Sequence, residues 1–235
     1  MDKTALLQAL GEFLPAAAIL SREEQLRPYE CDGLTAFKRL PQLVVLPETL
    51  SQVQAILQFC HRHEVPVVAR GAGTGLSGGA LPIEQGIVMS LAKFNRILQI
   101  DPLARTARVQ PGVTNLAISA AAEPFNLYYA PDPSSQIACT IGGNVAENSG
   151  GVHCLKYGLT VHNVMAVNII TIEGEQLTLG GEALDAAGYD LLALINGSEG
   201  MLGVITEVLV KLLPKPQLAR VVMAAFDDIG RAGQA

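Results

Sequence analysis

The chain has 235 residues, of which 49% are hydrophobic and 16% charged, and it carries a net charge of −6. That length supports one large domain or two small ones, and the acidic balance excludes a nucleic-acid surface, which needs a basic one. No uninterrupted apolar run reaches the length of a membrane span, and Cys31, Cys60, Cys139 and Cys154 are widely spaced with no Cys-x-x-Cys pattern and no secretory signal ahead of them, so the expectation is a cytoplasmic protein with reduced thiols.

In chain order, residues 1–40 read as an N-terminal helical segment, with an amphipathic helix at 4–13 ended near Gly11 and Pro15. Residues 42–46 look like a strand. Thr49-Leu50-Ser51-Gln52 is a capping-box sequence, and Val53, Ile56, Leu57 and Cys60 recur behind it at helical spacing. This predicts a helix to Glu64 and then a strand over 66–69, parallel to the first because a helix connects them. A first glycine cluster, Arg70-Gly71-Ala72-Gly73-Thr74-Gly75-Leu76-Ser77-Gly78-Gly79, starts where that strand ends. Open α/β sheets bind ligands at this end of their strands.

Beyond Leu81 the pattern changes. Residues 86–91, 96–100 and 106–110 read as short strands, with Asp101-Pro102 as a turn. Residues 113–122 read as a helix with Thr114 as cap, 164–172 and 176–179 as a hairpin across Glu173-Gly174, and 203–213 as a β-branched strand. The chain is therefore expected to be α+β, a small parallel part preceding a larger, mainly antiparallel one. Residues 219–226 read as a strand, and Asp227-Asp228 as the cap and first-turn charge of a helix. A strand and half a helix cannot bury their apolar faces alone, so 217–235 is expected to be the start of a further, truncated domain.

The second glycine cluster is Thr140-Ile141-Gly142-Gly143-Asn144, followed by Asn148-Ser149-Gly150-Gly151. Glycine runs turn several N–H groups toward one concavity, which suits an anion such as a pyrophosphate. Two such clusters suit a ligand long enough to need a cradle at both ends. Gly73-Thr74-Gly75-Leu76-Ser77-Gly78 also fits the dinucleotide fingerprint, but Gly78, Gly79 and Pro82 fall where that fold opens a helix. No acidic residue ends a second strand as the nicotinamide site requires.

Other residues admit two readings from the sequence. Arg70 either faces a ligand or pairs with a carboxylate. Asn144 and Asn148 either face a ligand or form left-handed turns. Pro131-Asp132-Pro133 can be a stiff bend, and Glu199 a cap on the 197–203 turn. His61 and His63 stand two apart on a helix and share no face. His153, just after Gly151, is within reach of the second cluster. No metal site and no catalytic residue is assigned.

Taken together, the 70–79 loop, Pro131-Asp132-Pro133-Ser134-Ser135, residues 140–151, Lys156-Tyr157-Gly158-Leu159-Thr160 and residues 197–206 resemble the flavin-binding half of the vanillyl-alcohol oxidase and p-cresol methylhydroxylase (PCMH-type) superfamily. Within it, the chain is most similar to the FAD-linked subunits of glycolate oxidases. The resemblance implies a PCMH-type FAD-binding domain over 41–216, built of two α/β subdomains with FAD between them. The loop from Arg70 through Gly71, Ala72, Gly73, Thr74, Gly75, Leu76, Ser77, Gly78 and Gly79 would wrap the pyrophosphate, with Thr74, Ser77 and Ser90 adding hydroxyls. Pro131, Asp132, Ser135, Thr140, Gly142, Gly143 and Asn144 would line the flavin from the other side, with Ser149, Gly150 and Gly151 close by. Glu199, Gly203, Val204 and Ile205 would hold the adenine end or the ribityl chain. Some members bond FAD through a histidine in the first loop; residues 70–79 contain none, which implies non-covalent FAD.

The same resemblance implies a 2-hydroxy-acid oxidoreductase in which a hydride passes from the substrate α-carbon to flavin N5 while a base takes the hydroxyl proton. Glycolate, oxidised to glyoxylate, is the first expectation. D-Lactate, D-2-hydroxyglutarate and an inactive FAD-binding fragment are the alternatives. The family's substrate-binding arginine, catalytic histidine and metal-ligating histidines belong to a cap domain, so none is carried onto this chain, which alone is expected to turn over little. Partners implied are an iron–sulfur subunit and a second flavin-type subunit, with peripheral attachment to the inner membrane through them.

Overall fold

The computed structural model describes residues 1–183, 188–218 and 220–235. Its strands are β1 (Ile19–Leu20), β2 (Leu43–Val45), β3 (Val67–Arg70), β4 (Ile87–Ser90), β5 (Ile97–Asp101), β6 (Thr106–Val109), β7 (Leu127–Tyr128), β8 (Val164–Ile170), β9 (Gln176–Gly180), β10 (Val204–Lys211) and β11 (Leu213–Pro214). Its α-helices are α1 (Lys3–Gly11), α2 (Glu23–Leu26), α3 (Leu50–Arg62), α4 (Asn115–Ala122), α5 (Ile141–Glu147), α6 (Cys154–Tyr157), α7 (Leu191–Ile195) and α8 (Ile229–Gln234). The fold is α+β.

The first sheet has the order β1-β2-β4-β3. β2 and β3 each run parallel to β4, and β1 pairs antiparallel with β2. The two strands flanking α3 are thus parallel, as their helical connection requires, but β4 lies between them. The strand at 86–91 therefore belongs to the parallel sheet and not with the later antiparallel strands. All four residues of β4 are buried, and a strand covered on both faces shows a continuous apolar run that does not reveal its neighbours.

α3 starts at a capping box. Thr49 Oγ1 accepts from the Gln52 N–H, and Gln52 Oε1 accepts from the N–H groups of Glu48 and Thr49. Its apolar face buries Val53, Ile56, Leu57 and Cys60 against Leu43, Val45, Ile87 and Met89, and Leu6 and Leu10 of α1 join the same core. Burial pushes the Cys60 thiol up to about 12, and Cys139 is buried as well, whereas Cys31 and Cys154 are partly exposed. Thiolate is the reactive form. A thiol-specific reagent at pH 8 is therefore expected to label Cys31 and Cys154 in the native chain and all four cysteines only after denaturation. Rapid native labelling of Cys60, read by peptide mass mapping, would show that this core opens.

The second sheet is antiparallel, with the order β5-β6-β10-β8-β9. One face, carrying Val109, Val208, Val210, Val167 and Ile169, packs on Ile118 and Ala122 of α4 and on Ile141 and Val145 of α5. Thr114 caps α4 by accepting from the Ala117 N–H. No helix among the described residues is long and apolar enough to cross a membrane.

The expected strand at 219–226 does not form. Ala219 lies outside the described residues, and 220–226 carries no strand. Val221, Val222 and Met223 are each more than 90% exposed; extended backbone becomes a strand only with a pairing partner, and none is present among the described residues. Asp228 does cap α8, accepting from the Arg231 N–H at 3.0 Å.

Candidate cofactor site

β3 ends at Arg70, and the first glycine cluster follows it directly. Thr140 is the N-cap residue of α5 and opens the second cluster. The two clusters meet. A Cβ on Gly71 would overlap Thr140 Oγ1, and one on Gly142 would stand 2.5 Å from Pro111 Cβ. A side chain at Gly71 would wedge the clusters apart, and one at Gly142 would push α5 away from Pro111. A bridge between Thr114 and Thr140 and a bond from the Gly142 N–H to Pro111 O hold the start of α5 against the segment between β6 and α4.

Between the clusters lies an open cleft lined by residues of both glycine clusters. Of the residues expected from sequence, Arg70, Gly71, Ala72, Gly73, Thr74, Gly75, Ser77, Gly79, Thr140, Gly142, Gly143, Asn144, Glu199, Gly203 and Ile205 line it. Leu76, Gly78, Ser90, Pro131, Asp132, Ser135, Ser149, Gly150, Gly151 and Val204 are outside its lining. Val204 is packed into the first core. Asp132 is 2.6 Å from His153 Nδ1 and packs directly against Gly151. Ala69, Ala80, Leu91, Pro111, Cys139, Ala146, Glu147 and Gly200 also line the cleft; Ala146, Glu147 and Gly200 fall within the stretches that carry the resemblance, and the others have no local signature.

Arg70 is buried. Its Nη1 donates to Cys31 O at 2.8 Å and Ala80 O at 3.0 Å, and its guanidinium lies over the Tyr29 ring. Burial pulls the guanidinium below its ordinary value, against the opposing pull of Cys31, Tyr29 and Asp32. The cation therefore braces the loop through two carbonyls rather than through a carboxylate, and Arg70 also lines the cleft. Asp32, not singled out from sequence, accepts from the N–H groups of Gly78 and Leu34, so the segment from Tyr29 to Gly33 clasps the glycine loop from outside.

With Gly78 so occupied, the N–H groups of Ala72, Gly73, Thr74 and Gly75 have no acceptor among the described residues. Thr140 Oγ1 is buried without a hydrogen-bond partner. Buried polar groups of native proteins find partners, and bare N–H groups beside an orphaned hydroxyl fit the oxygens of a pyrophosphate. The residues present thus suit a dinucleotide such as FAD. Among the described residues, no group of three or more His, Cys, Asp or Glu side chains is placed to hold a metal ion.

Comparison with known proteins agrees with this chemistry. Residues 41–180 match the FAD binding domain family. Over all 235 residues the chain is 64% identical to the glycolate oxidase subunit GlcD of Escherichia coli (strain K12), of which it covers 47%. Over 207 residues, 88% of the chain, it is 44% identical to GlcD of Bacillus subtilis (strain 168), covering 44% of that protein. A solved structure of alkyldihydroxyacetonephosphate synthase superposes with a TM-score of 0.79 at 25% identity, over 92% of this chain and 41% of that one. The chain spans about half the length of the curated relatives it matches. The chain belongs to the FAD binding domain family.

Proposed function

We propose that this chain is the FAD-binding portion of a flavin-dependent 2-hydroxy-acid oxidoreductase that acts on glycolate. The observation that carries the FAD assignment is the cleft with its bare N–H groups and the orphaned Thr140 hydroxyl. The 64% identity to GlcD over every residue supports glycolate. When bound, FAD would supply the two-electron acceptor for oxidation of a CH–OH group. The chain's own residues bind and orient it, through the N–H groups of the 70–79 loop and through Thr140.

In this reading 41–216 is the FAD-binding domain, residues 1–40 are an N-terminal segment packed on it, and 217–235 lie outside it. FAD is held without a covalent bond, as the resemblance implies for a chain whose 70–79 loop lacks the histidine through which some members attach it. The substrate-binding and catalytic groups are not among the residues assigned here. Electrons pass to iron–sulfur and second flavin-type subunits, which attach the assembly peripherally to the membrane.

Two measurements test this. The purified chain is expected to show flavin absorption bands that move entirely into the supernatant on acid precipitation. A folded chain that neither carries nor takes up FAD would overturn the assignment. Grafted in place of the corresponding span of E. coli GlcD, the chain is expected to preserve glycolate oxidation. A graft that loads FAD yet oxidises D-lactate in preference to glycolate would move the substrate assignment.

A further inference from the structure

The first and second sheets meet through few residues, yet the cofactor cleft takes its lining from both. Ala69 and Arg70 come from the end of β3, and Gly203 and Ile205 from the start of β10. The cleft keeps its shape only if the two sheets keep their relative position. Two side chains of the second sheet, Ile170 of β8 and Val204 of β10, are buried in the first core with Val53, Ile56 and Leu57 of α3. Apolar burial is non-directional. It opposes separation of the sheets but does little against rotation of one on the other.

A directional contact lies beside this apolar one. Residues 171–175 form the turn between β8 and β9, closed by bonds from the Gly174 N–H to Thr171 O and from the Thr171 N–H to Glu175 O, both 2.9 Å. The Gly174 carbonyl accepts from Gln54 Nε2 of α3 at 2.7 Å. Among the described residues this is the only hydrogen bond between residues 1–91 and residues 96–214. Gln58, four residues on and so on the same face of α3, packs against Gly174: a Cβ there would stand 2.5 Å from Gln58 Cγ. Gly174 has φ 86°, so one glycine serves both the turn and the close approach.

Away from this contact, helix and sheet stand apart. Glu48, Leu50 and Ser51 line one side of a gap, and Asn168, Gln176 and Thr178 line the other. Neither Gln54 nor Gln58 lines the cofactor cleft.

We propose that Gln54 and Gln58, by clamping Gly174, are positioning residues for the cofactor: they fix the rotation of the second sheet on the first and thereby the spacing between the two walls of the cleft. The inference rests on the FAD reading above but concerns residues that do not touch the ligand. Loss of a single neutral hydrogen bond corresponds to about a three- to tenfold change in an equilibrium constant.

The test compares FAD affinity, followed by flavin fluorescence, with the melting temperature of the apo chain. Gln54→Met keeps the length of the side chain and removes the donor; it is expected to weaken FAD about fivefold. Gln54→Lys restores a donor of similar reach and is expected to bind FAD within about twofold of the parent. Gly174→Ala sets a Cβ against Gln58 at a positive φ, and is expected to weaken FAD about tenfold and to melt early. Adding Gln58→Ala removes the overlap but not the backbone strain, so it is expected to recover most of the affinity and only part of the melting temperature. A role in stability alone would not separate the two readouts in this way. FAD affinities of Gln54→Met and Gly174→Ala within about twofold of the parent, in folded chains, overturn the inference and leave the FAD reading standing. So does a loss of affinity that neither Gln54→Lys nor Gln58→Ala reverses. A parent chain that binds no FAD overturns both. If Gln54→Met does not fold, the Gly174 and Gln58 variants decide the outcome.

Discussion

Replacing Gly73 with valine is expected to abolish FAD loading and to lower the melting temperature of the chain by about 10 °C, at roughly 2–4 °C per kcal/mol for a chain of this size. Two costs add at this position. Gly73 has φ 71°, in the left-handed region, where a residue with a Cβ loses about 1–2 kcal/mol. A Cβ there would also overlap the Arg70 guanidinium. Arg70 would then have to release Cys31 O and Ala80 O, leaving buried polar groups unpaired at about 1–3 kcal/mol. The glycine loop would lose its brace, so FAD affinity should fall about a hundredfold or more, the equivalent of roughly 3 kcal/mol.

Gly78 is the control. It too has a positive φ, 84°, but no atom stands within 4 Å of where its Cβ would be. Gly78→Ala should therefore show only the backbone cost, about 1 kcal/mol, and keep FAD affinity within a few-fold of the parent. The comparison separates strain from displacement of Arg70. Equal FAD affinities for Gly73→Val and the parent, by fluorescence titration, would show that the Arg70 brace does not shape the site.

Local signals were legible in the sequence wherever one short segment decided the outcome. Thr49 and Gln52 sit three apart and cap α3 through a reciprocal box; the apolar stripe from Val53 to Cys60 names the buried face of that helix. The two glycine clusters were legible for the same reason, and the parallel relation of β2 and β3 followed from the helix between them. Matters settled by distant residues were not legible. Nothing in Ile87-Val88-Met89-Ser90 says that it lies between β2 and β3. Arg70 binds two carbonyls, one 39 residues away, a partner that no spacing rule proposes. Nothing in the sequence singles out Glu147, and only the 197–200 turn brings it beside Glu199 in the cleft. Val221, Val222 and Met223 have strand-forming side chains but no strand to pair with among the described residues, so propensity misled there.

Asn115→Leu is the second variant with a large expected effect, and it bears on how Asn144 and Ser149 are read. Asn115 is 1% exposed and Asn144 is 2% exposed. Asn115 Nδ2 donates to Pro131 O at 2.9 Å, Asn144 Nδ2 donates to Asn115 Oδ1 at 3.1 Å, and Ser149 Oγ donates to Asn144 Oδ1 at 3.4 Å. This chain of bonds ties α4, α5 and the segment at Pro131 into one wall behind the cleft. A leucine at 115 leaves Pro131 O and the Asn144 amide buried and unpaired, at about 2–4 kcal/mol, since each orphaned group costs about 1–3. The apo chain should melt about 5–15 °C lower. Adding Asn144→Leu should cost less than the sum of the two single changes, by about 1 kcal/mol, because the second substitution removes a group that the first has already orphaned. The apo measurement matters, because a variant that lost only a contact to FAD would melt like the parent without the cofactor and differ only in its presence. An apo melting temperature within a degree or so of the parent would show that the asparagines do not hold one another. The expected outcome places Asn115 behind the wall, where loss of FAD affinity on its mutation follows from a displaced wall rather than from a lost ligand contact, whereas Asn144 both holds Asn115 and lines the cleft.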